Sequence, residues 1–232
     1  GADELIYQEL EHLKKSATSY EKFYQCVSPH HKNLAIAYHD LGVAYLEMYQ
    51  MHGNFVDFFQ AKHYLEKGRN ARIFYHSPRH PAVARSDESL GDLAQLSFYR
   101  PYHQAINFYQ QCLNIRLKSY GKNHPETARA YLKLSQANFN DAKWRAGASS
   151  IMPDFEQSKN LLSEAKTAYK TYKTGMITHS QHDPENTNIK SMIKEIQGQL
   201  NAIADLEREI EEQTKEFSPE LDYYRSISHA FS

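Results

Sequence analysis

Apolar residues recur every three or four positions through almost the whole chain, and nothing alternates in the manner of a strand, so the pattern predicts helices throughout. The first spans residues 3–26, with Leu5, Ile6, Leu10, Leu13, Ala17, Tyr20 and Tyr24 on one side. A long helix near the other end puts Ile189, Ile193, Ile196, Leu200, Ile203, Leu206 and Ile210 in one stripe, and its far half, DLEREIEEQTKE, is strongly acidic. Ser218-Pro219-Glu220 opens a last short helix with Leu221, Tyr224, Ile227 and Phe231. Between these ends one phrase recurs: SPHHKNLAIAYHDLG from Ser28, SPRHPAVARSDESLG from Ser77, GKNHPETARAYLKLS from Gly121, and a worn copy, SQHDPENTNIKSMIK, from Ser180. The spacing from His31 to Leu41 returns from His80 to Leu90, from His124 to Leu134 and from Asp183 to Ile193. A fixed internal register repeated along a chain marks a repeat protein.

Each unit opens on a turn, with proline suited to the first helical position in His80-Pro81 and His124-Pro125. The first helix then runs to an aliphatic anchor followed by a small residue: Leu41-Gly42, Leu90-Gly91, Leu134-Ser135. A small residue inside a helix lowers propensity, so its expected use is to let a second helix pack closely. The second helices align as Phe58-x-x-Ala61, Tyr102-x-x-Ala105 and Phe155-x-x-Ser158, followed by Leu65, Tyr109 and Leu162, then by Gly68, Cys112 and Ala165. Extra residues lie at Met48–Asn54 and Lys143–Asp154, where the first and third units join their two helices. Two readings are open for them: functional inserts on one face, or longer helices joined by a variable loop.

A unit of about 44 residues exceeds the 34 of the minimal tetratricopeptide repeat. Tyr102–Ile115 (YHQAINFYQQCLNI), Arg116–His124 (RLKSYGKNH) and Pro125-Glu126-Thr127-Ala128-Arg129 nevertheless resemble the tetratricopeptide repeats of kinesin light chains. The resemblance covers residues 28–175 well and 180–215 weakly. It implies an all-α, tetratricopeptide-type right-handed superhelical solenoid of antiparallel helix pairs with capping helices. The expected division is an N-terminal capping helix over 1–27 and three repeats over 28–179 (about 28–76, 77–120 and 121–179). A degenerate fourth repeat with the long acidic helix and a C-terminal cap follows over 180–232.

Net charge is −1, and no basic stripe stands out, which argues against a nucleic-acid binder. No apolar run approaches the roughly 20 residues that span a bilayer, so no membrane insertion is expected. The opening residues carry acids and helical periodicity and do not read as a leader, and Gly1-Ala2 without a methionine reads as the start of a fragment. Cys26 and Cys112 read as small buried thiols of a reducing compartment, placing the chain in the cytoplasm. Of 13 histidines, the close groups His30-His31, His76 with His80, and His179 with His182 all fall in turns. His31, His80 and His124 hold one repeated position, which points to a turn or cap role; no metal and no cofactor are expected. Phosphate loops, nucleophile elbows and paired metal-binding histidines are missing, so the chain is not expected to be an enzyme. Paired acids such as Glu211-Glu212 read as a solvated helix face.

What is left is the surface that stacking creates. In tetratricopeptide arrays the first helices line a concave groove, and the resemblance implies groove positions around each anchor. They are His39, Asp40 and Val43; Glu88, Ser89 and Asp92; Leu132, Lys133 and Gln136, with Ile36, Arg85 and Arg129 one turn earlier. Kinesin light chains carry an Asn-Asn pair before the anchor; His39-Asp40, Glu88-Ser89 and Leu132-Lys133 stand there in this sequence, so the resemblance implies the architecture and not the cargo. The expected function is a protein-interaction module that binds a peptide or partner helix in the groove. The alternative is a targeting or regulatory domain of a larger multidomain protein, such as a bacterial secreted effector.

Overall fold

The computed structural model describes residues 2–24, 31–97, 102–149, 154–182 and 187–216. Among the described residues the regular structure is helical: α1 (Ala2–Tyr24), α2 (Lys32–His52), α3 (Phe55–Tyr75), α4 (Pro81–Gln95), α5 (Tyr102–Tyr120), α6 (Pro125–Ser149), α7 (Glu156–His182) and α8 (Thr187–Glu216). The chain divides into two compact units, residues 1–119 and 120–232. No helix among the described residues is long and apolar enough to cross a membrane.

In the first unit α1 packs on α2, α2 on α3, and α3 on α4. Leu10 and Ala17 of α1 join Leu41, Tyr45, Leu65, Leu90 and Leu93 in one core, with Ile6, Leu13 and Tyr20 packed at its edge. Leu5 departs from the expected apolar side of α1: it is 68% exposed. The anchors Leu41 and Leu90 are buried, and the small residue after each admits the second helix. A Cβ on Gly42 would stand 2.7 Å from Leu65 Cγ, and one on Gly91 2.5 Å from the Tyr109 ring. Leu65 and Tyr109 occupy the same repeat position, so doublet and partner form one lock used twice.

The α2–α3 connection resolves the first extra segment. Most of it lengthens α2, which continues to His52 and stops at Gly53 in the left-handed region (φ 66°). Asn54 then caps α3, its Oδ1 accepting from the Val56 N–H at 3.0 Å. The extra residues are therefore helix and cap, and not a loop.

In the second unit α6 packs on α7, and α7 on α8. The small-residue lock is polar here. Ser135 Oγ donates to the Ser158 carbonyl at 2.8 Å, and Ser158 Oγ to the Ser135 carbonyl at 2.9 Å, both groups buried. Each hydroxyl thereby meets a buried carbonyl, which removes the penalty of burying it. The second extra segment again lengthens a helix, since α6 runs to Ser149; residues 150–153 of that segment lie outside the described residues. Helix α8 buries Ile196, Ile203, Leu206 and Ile210, as its stripe predicts. Half-exposed ion pairs flank that seam: Lys166–Glu207 at 2.6 Å from α7 and Lys143–Glu209 at 3.1 Å from α6. Cys26 and the expected last helix, with Leu221, Tyr224, Ile227 and Phe231, lie outside the described residues. Cys112 is buried.

The three repeated histidines are helix caps. Nδ1 of His31 accepts from the Asn33 N–H at 3.2 Å, that of His80 from Ala82 at 3.1 Å, and that of His124 from Glu126 at 3.1 Å. The cap position wants a side-chain acceptor for an orphan N–H, and histidine supplies one through a single ring nitrogen.

Candidate functional site

The first helices present the same positions to solvent in each unit. On α2, Ile36 and Asp40 are exposed and Val43 is half-buried; on α4, Arg85 is exposed and Ser89 and Asp92 are half-buried; on α6, Arg129, Lys133 and Gln136 are half-buried. Each set falls five and one residues before its anchor and two after it, the spacing that puts side chains on one helix face. Val43 also packs against the core of the first unit.

The position two before the anchor behaves differently, and here the sequence expectation is corrected. His39 is 5% exposed and Glu88 8%, while Leu132 is half-buried. His39 sits under α3, where a Cβ on Gly68 would lie 3.0 Å from the His39 backbone nitrogen. Glu88 accepts from buried Arg116 of α5 at 2.5 Å. A buried carboxylate is stable only when paired, and Arg116 supplies the charge and the hydrogen bond. These two residues are interior parts of the scaffold and not an open surface. Asp92 is engaged as well, accepting from Tyr109 Oη at 2.6 Å.

The electrostatics of the first unit follow from those pairings. Asp87 is buried and ion-paired to Arg69 at 2.5 Å, so the two buried acids of α4, Asp87 and Glu88, are neutralised from α3 and α5. Arg72 is 4% exposed and donates to the Ala82 carbonyl at 3.2 Å and to Ser86 Oγ at 2.7 Å, both neutral acceptors. Burial, then Arg85, lowers its pKa to about 10. Burial lowers His39 to about 3, helped by Arg72 and Arg85, so its imidazole is neutral at pH 7. Burial raises Asp40, and the same two arginines oppose that rise. The accessible face of the first unit is thus an apolar residue (Ile36), an acid (Asp40) and a base (Arg85) around buried Arg72. In the second unit Arg129 pairs with Glu126 at 2.7 Å, and Gln136 donates to Asn140 at 3.2 Å along the same face.

A cleft that the sequence did not disclose lies between α3, α4 and α5 of the first unit, with Tyr49 of α2 at its edge. Its volume is about 730 Å³, and Tyr49, Phe55, Phe58, Phe59, Phe108 and Leu93 supply most of its apolar wall. Phe55 and Phe59 are 54% and 65% exposed. Phe55, Phe58 and Phe59, aromatics at the i, i+3, i+4 spacing of one helix face at the start of α3, are the signal that could have revealed it. No cluster of histidine, cysteine or acid suited to a metal ion occurs among the described residues.

No family model matches the chain, and no curated protein does. Among solved structures it is similar to a Podosopora anserina protein described as a kinesin light chain with nearly identical TPR-like repeats. The TM-score is 0.50 at 15% identity, covering 85% of this chain and 90% of that one. At that identity the likeness shows the fold: an all-α tetratricopeptide-type helical repeat.

Proposed function

We propose that the chain is a protein-interaction module that binds an extended peptide or a partner helix on the face made by its first helices. The supporting observation is that Ile36, Asp40 and Arg85 are exposed and Val43, Ser89, Asp92, Arg129, Lys133 and Gln136 half-buried at the matching positions, while His39 and Glu88 beside them are buried. Helical repeats use the exposed positions of their first helices as binding surface, and each unit carries such positions. The partner is a protein and not a nucleic acid, since the buried acids of α4 are matched by arginines and the net charge is −1. We assign the chain no catalytic role, and we carry the division into capping helix, three repeats and degenerate fourth repeat as part of the same proposal.

The test is a peptide array or pull-down with the full chain, repeated with Asp40→Ala, Arg85→Ala, Arg129→Ala and Lys133→Ala. These side chains are exposed or half-exposed, so folding is retained and binding drops. A hot-spot residue weakens binding by about 2 kcal/mol or more and a rim residue by less. Unchanged affinity for every partner in all four variants rejects the stripe as the binding face.

A further inference from the structure

The extra residues of the first unit build a feature that the face of the first helices does not use. Helix α2 runs on from its anchor Leu41 to His52, whereas α4 runs only from Leu90 to Gln95. Helix α3 begins at Phe55, a turn ahead of Phe58, whereas α5 begins at Tyr102, the residue that matches Phe58. The first helix pair is therefore longer at this end, and the excess is aromatic. The Tyr49 ring stands 5.2 Å from that of Phe58 and 6.2 Å from that of Phe55, and its Oη donates to the Leu96 carbonyl at 3.3 Å. With Gly53 and Asn54 closing the connection, these contacts fix one end of the cleft between α3, α4 and α5.

The cleft is a trench. Phe55, Phe59, Lys62 and Glu66 follow one another at helical spacing along its α3 wall, a length of about 16 Å at the rise of an α-helix. Buried Leu90 and Leu93 of α4 form the floor, and Phe108 of α5 lies on the opposite wall. A small molecule needs walls that enclose it, and here Phe55 and Phe59 are 54% and 65% exposed. An extended peptide would lay bare N–H and C=O groups on phenyl rings. The amides that line the trench are Gln104 and Asn107, with Gln111 already accepting from Arg69 at 2.9 Å. A helix bonds its own backbone and offers an apolar face of about three turns, which matches the length of the wall. The charged residues lining the trench are Lys62 and Glu66, both exposed and neither ion-paired among the described residues. A base and an acid one turn apart are complementary to an acid and a base one turn apart on a second helix.

We propose that this trench docks an amphipathic helix of a partner protein. Its apolar residues, at i, i+4 and i+7, pack on Phe55, Phe59 and Phe108, and its flank places an acid opposite Lys62 and a base opposite Glu66. This is a second interaction site on the first unit, separate from the face made by the first helices.

A displayed library of random peptides of about 15 residues, roughly four helical turns, tests it by selection on the full chain with counter-selection on the double variant Phe55→Ser, Phe59→Ser. Both substituted side chains are exposed, so the fold is kept, which circular dichroism checks. Selected peptides, synthesised and measured by fluorescence anisotropy, are expected to carry the apolar i, i+4, i+7 ridge with an acid and a base on its flank. They should bind the double variant about tenfold or more weakly. Exchanging the wall charges, Lys62→Glu with Glu66→Lys, should weaken binding about two- to fivefold, and exchanging the peptide's acid and base should restore it. Arg85→Ala should leave these peptides' affinity unchanged, so this site and the face of the first helices stand or fall separately. The proposal is overturned if no selected peptide is sensitive to the double variant, or if the sensitive ones carry proline through the ridge. It is equally overturned if sedimentation velocity finds a dimer of the parent that the double variant abolishes, since the occupant is then a second copy. If the double variant does not fold, the charge exchange decides: unchanged affinity overturns the proposal, and loss with restoration supports it.

Discussion

Gly91 leaves no space for a methyl group, because its Cβ would stand 2.5 Å from the ring of Tyr109, itself fully buried. Gly91→Ala is therefore expected to lower stability by about 1–3 kcal/mol through overpacking, read as a lower urea midpoint. Gly198, within α8, has nothing within 4 Å of its would-be Cβ, so Gly198→Ala should raise stability by up to ~1 kcal/mol through helix propensity. Opposite signs from one substitution separate a packing glycine from an incidental one. His39 supplies a pH prediction at the same scale. Its folded pKa, about 3, lies below the ordinary 6.5, so as pH falls the unfolded chain binds the proton first. The stability contribution is complete above about pH 6.5 and is lost progressively toward pH 3. His39→Leu should accordingly show a shallower loss of stability than the parent when chemical denaturation is compared across that window.

At the scale of elements, α4 is pinned from both sides: Arg69 of α3 holds Asp87, and Arg116 of α5 holds Glu88. Removing one member of the buried Arg116–Glu88 pair takes its countercharge from the other, so Arg116→Met should cost about 3–5 kcal/mol. The double variant Arg116→Met with Glu88→Leu should recover most of that in a thermal melt. These pins also show how far the sequence could be read. The anchor doublets, the capping histidines and the stripe of α8 were legible because each follows from spacing within one helix. The burial of His39 and Glu88 was not. Their fate depends on Gly68 and Arg116, residues on other helices, and periodicity within α2 or α4 carries no information about those. The two readings of the extra segments stayed open for a related reason, since residue counting registers added length but not whether helix or loop absorbs it; α2 and α6 absorb most of it as helix.

At the scale of the whole molecule, the chain is two compact units with a helical repeat fold. In arrays of this kind stability is a sum of repeat and nearest-neighbour terms, so damage stays close to its origin. Gly91→Ala is expected to raise amide exchange in α3, α4 and α5 and to leave α7 and α8 near parental values. Uniform loss of protection across both units would show instead that the chain unfolds as one cooperative body. Helix α8 adds a further sensitivity. Its apolar seam is edged by the Lys166–Glu207 and Lys143–Glu209 pairs, all four side chains between a third and a half exposed. Exposed pairs of this kind weaken as ionic strength rises, because the screening length falls to about 3 Å at 1 M. The attachment of α8 is thus tuned by the salt around it, whereas the serine lock between α6 and α7, buried and uncharged, is indifferent to it.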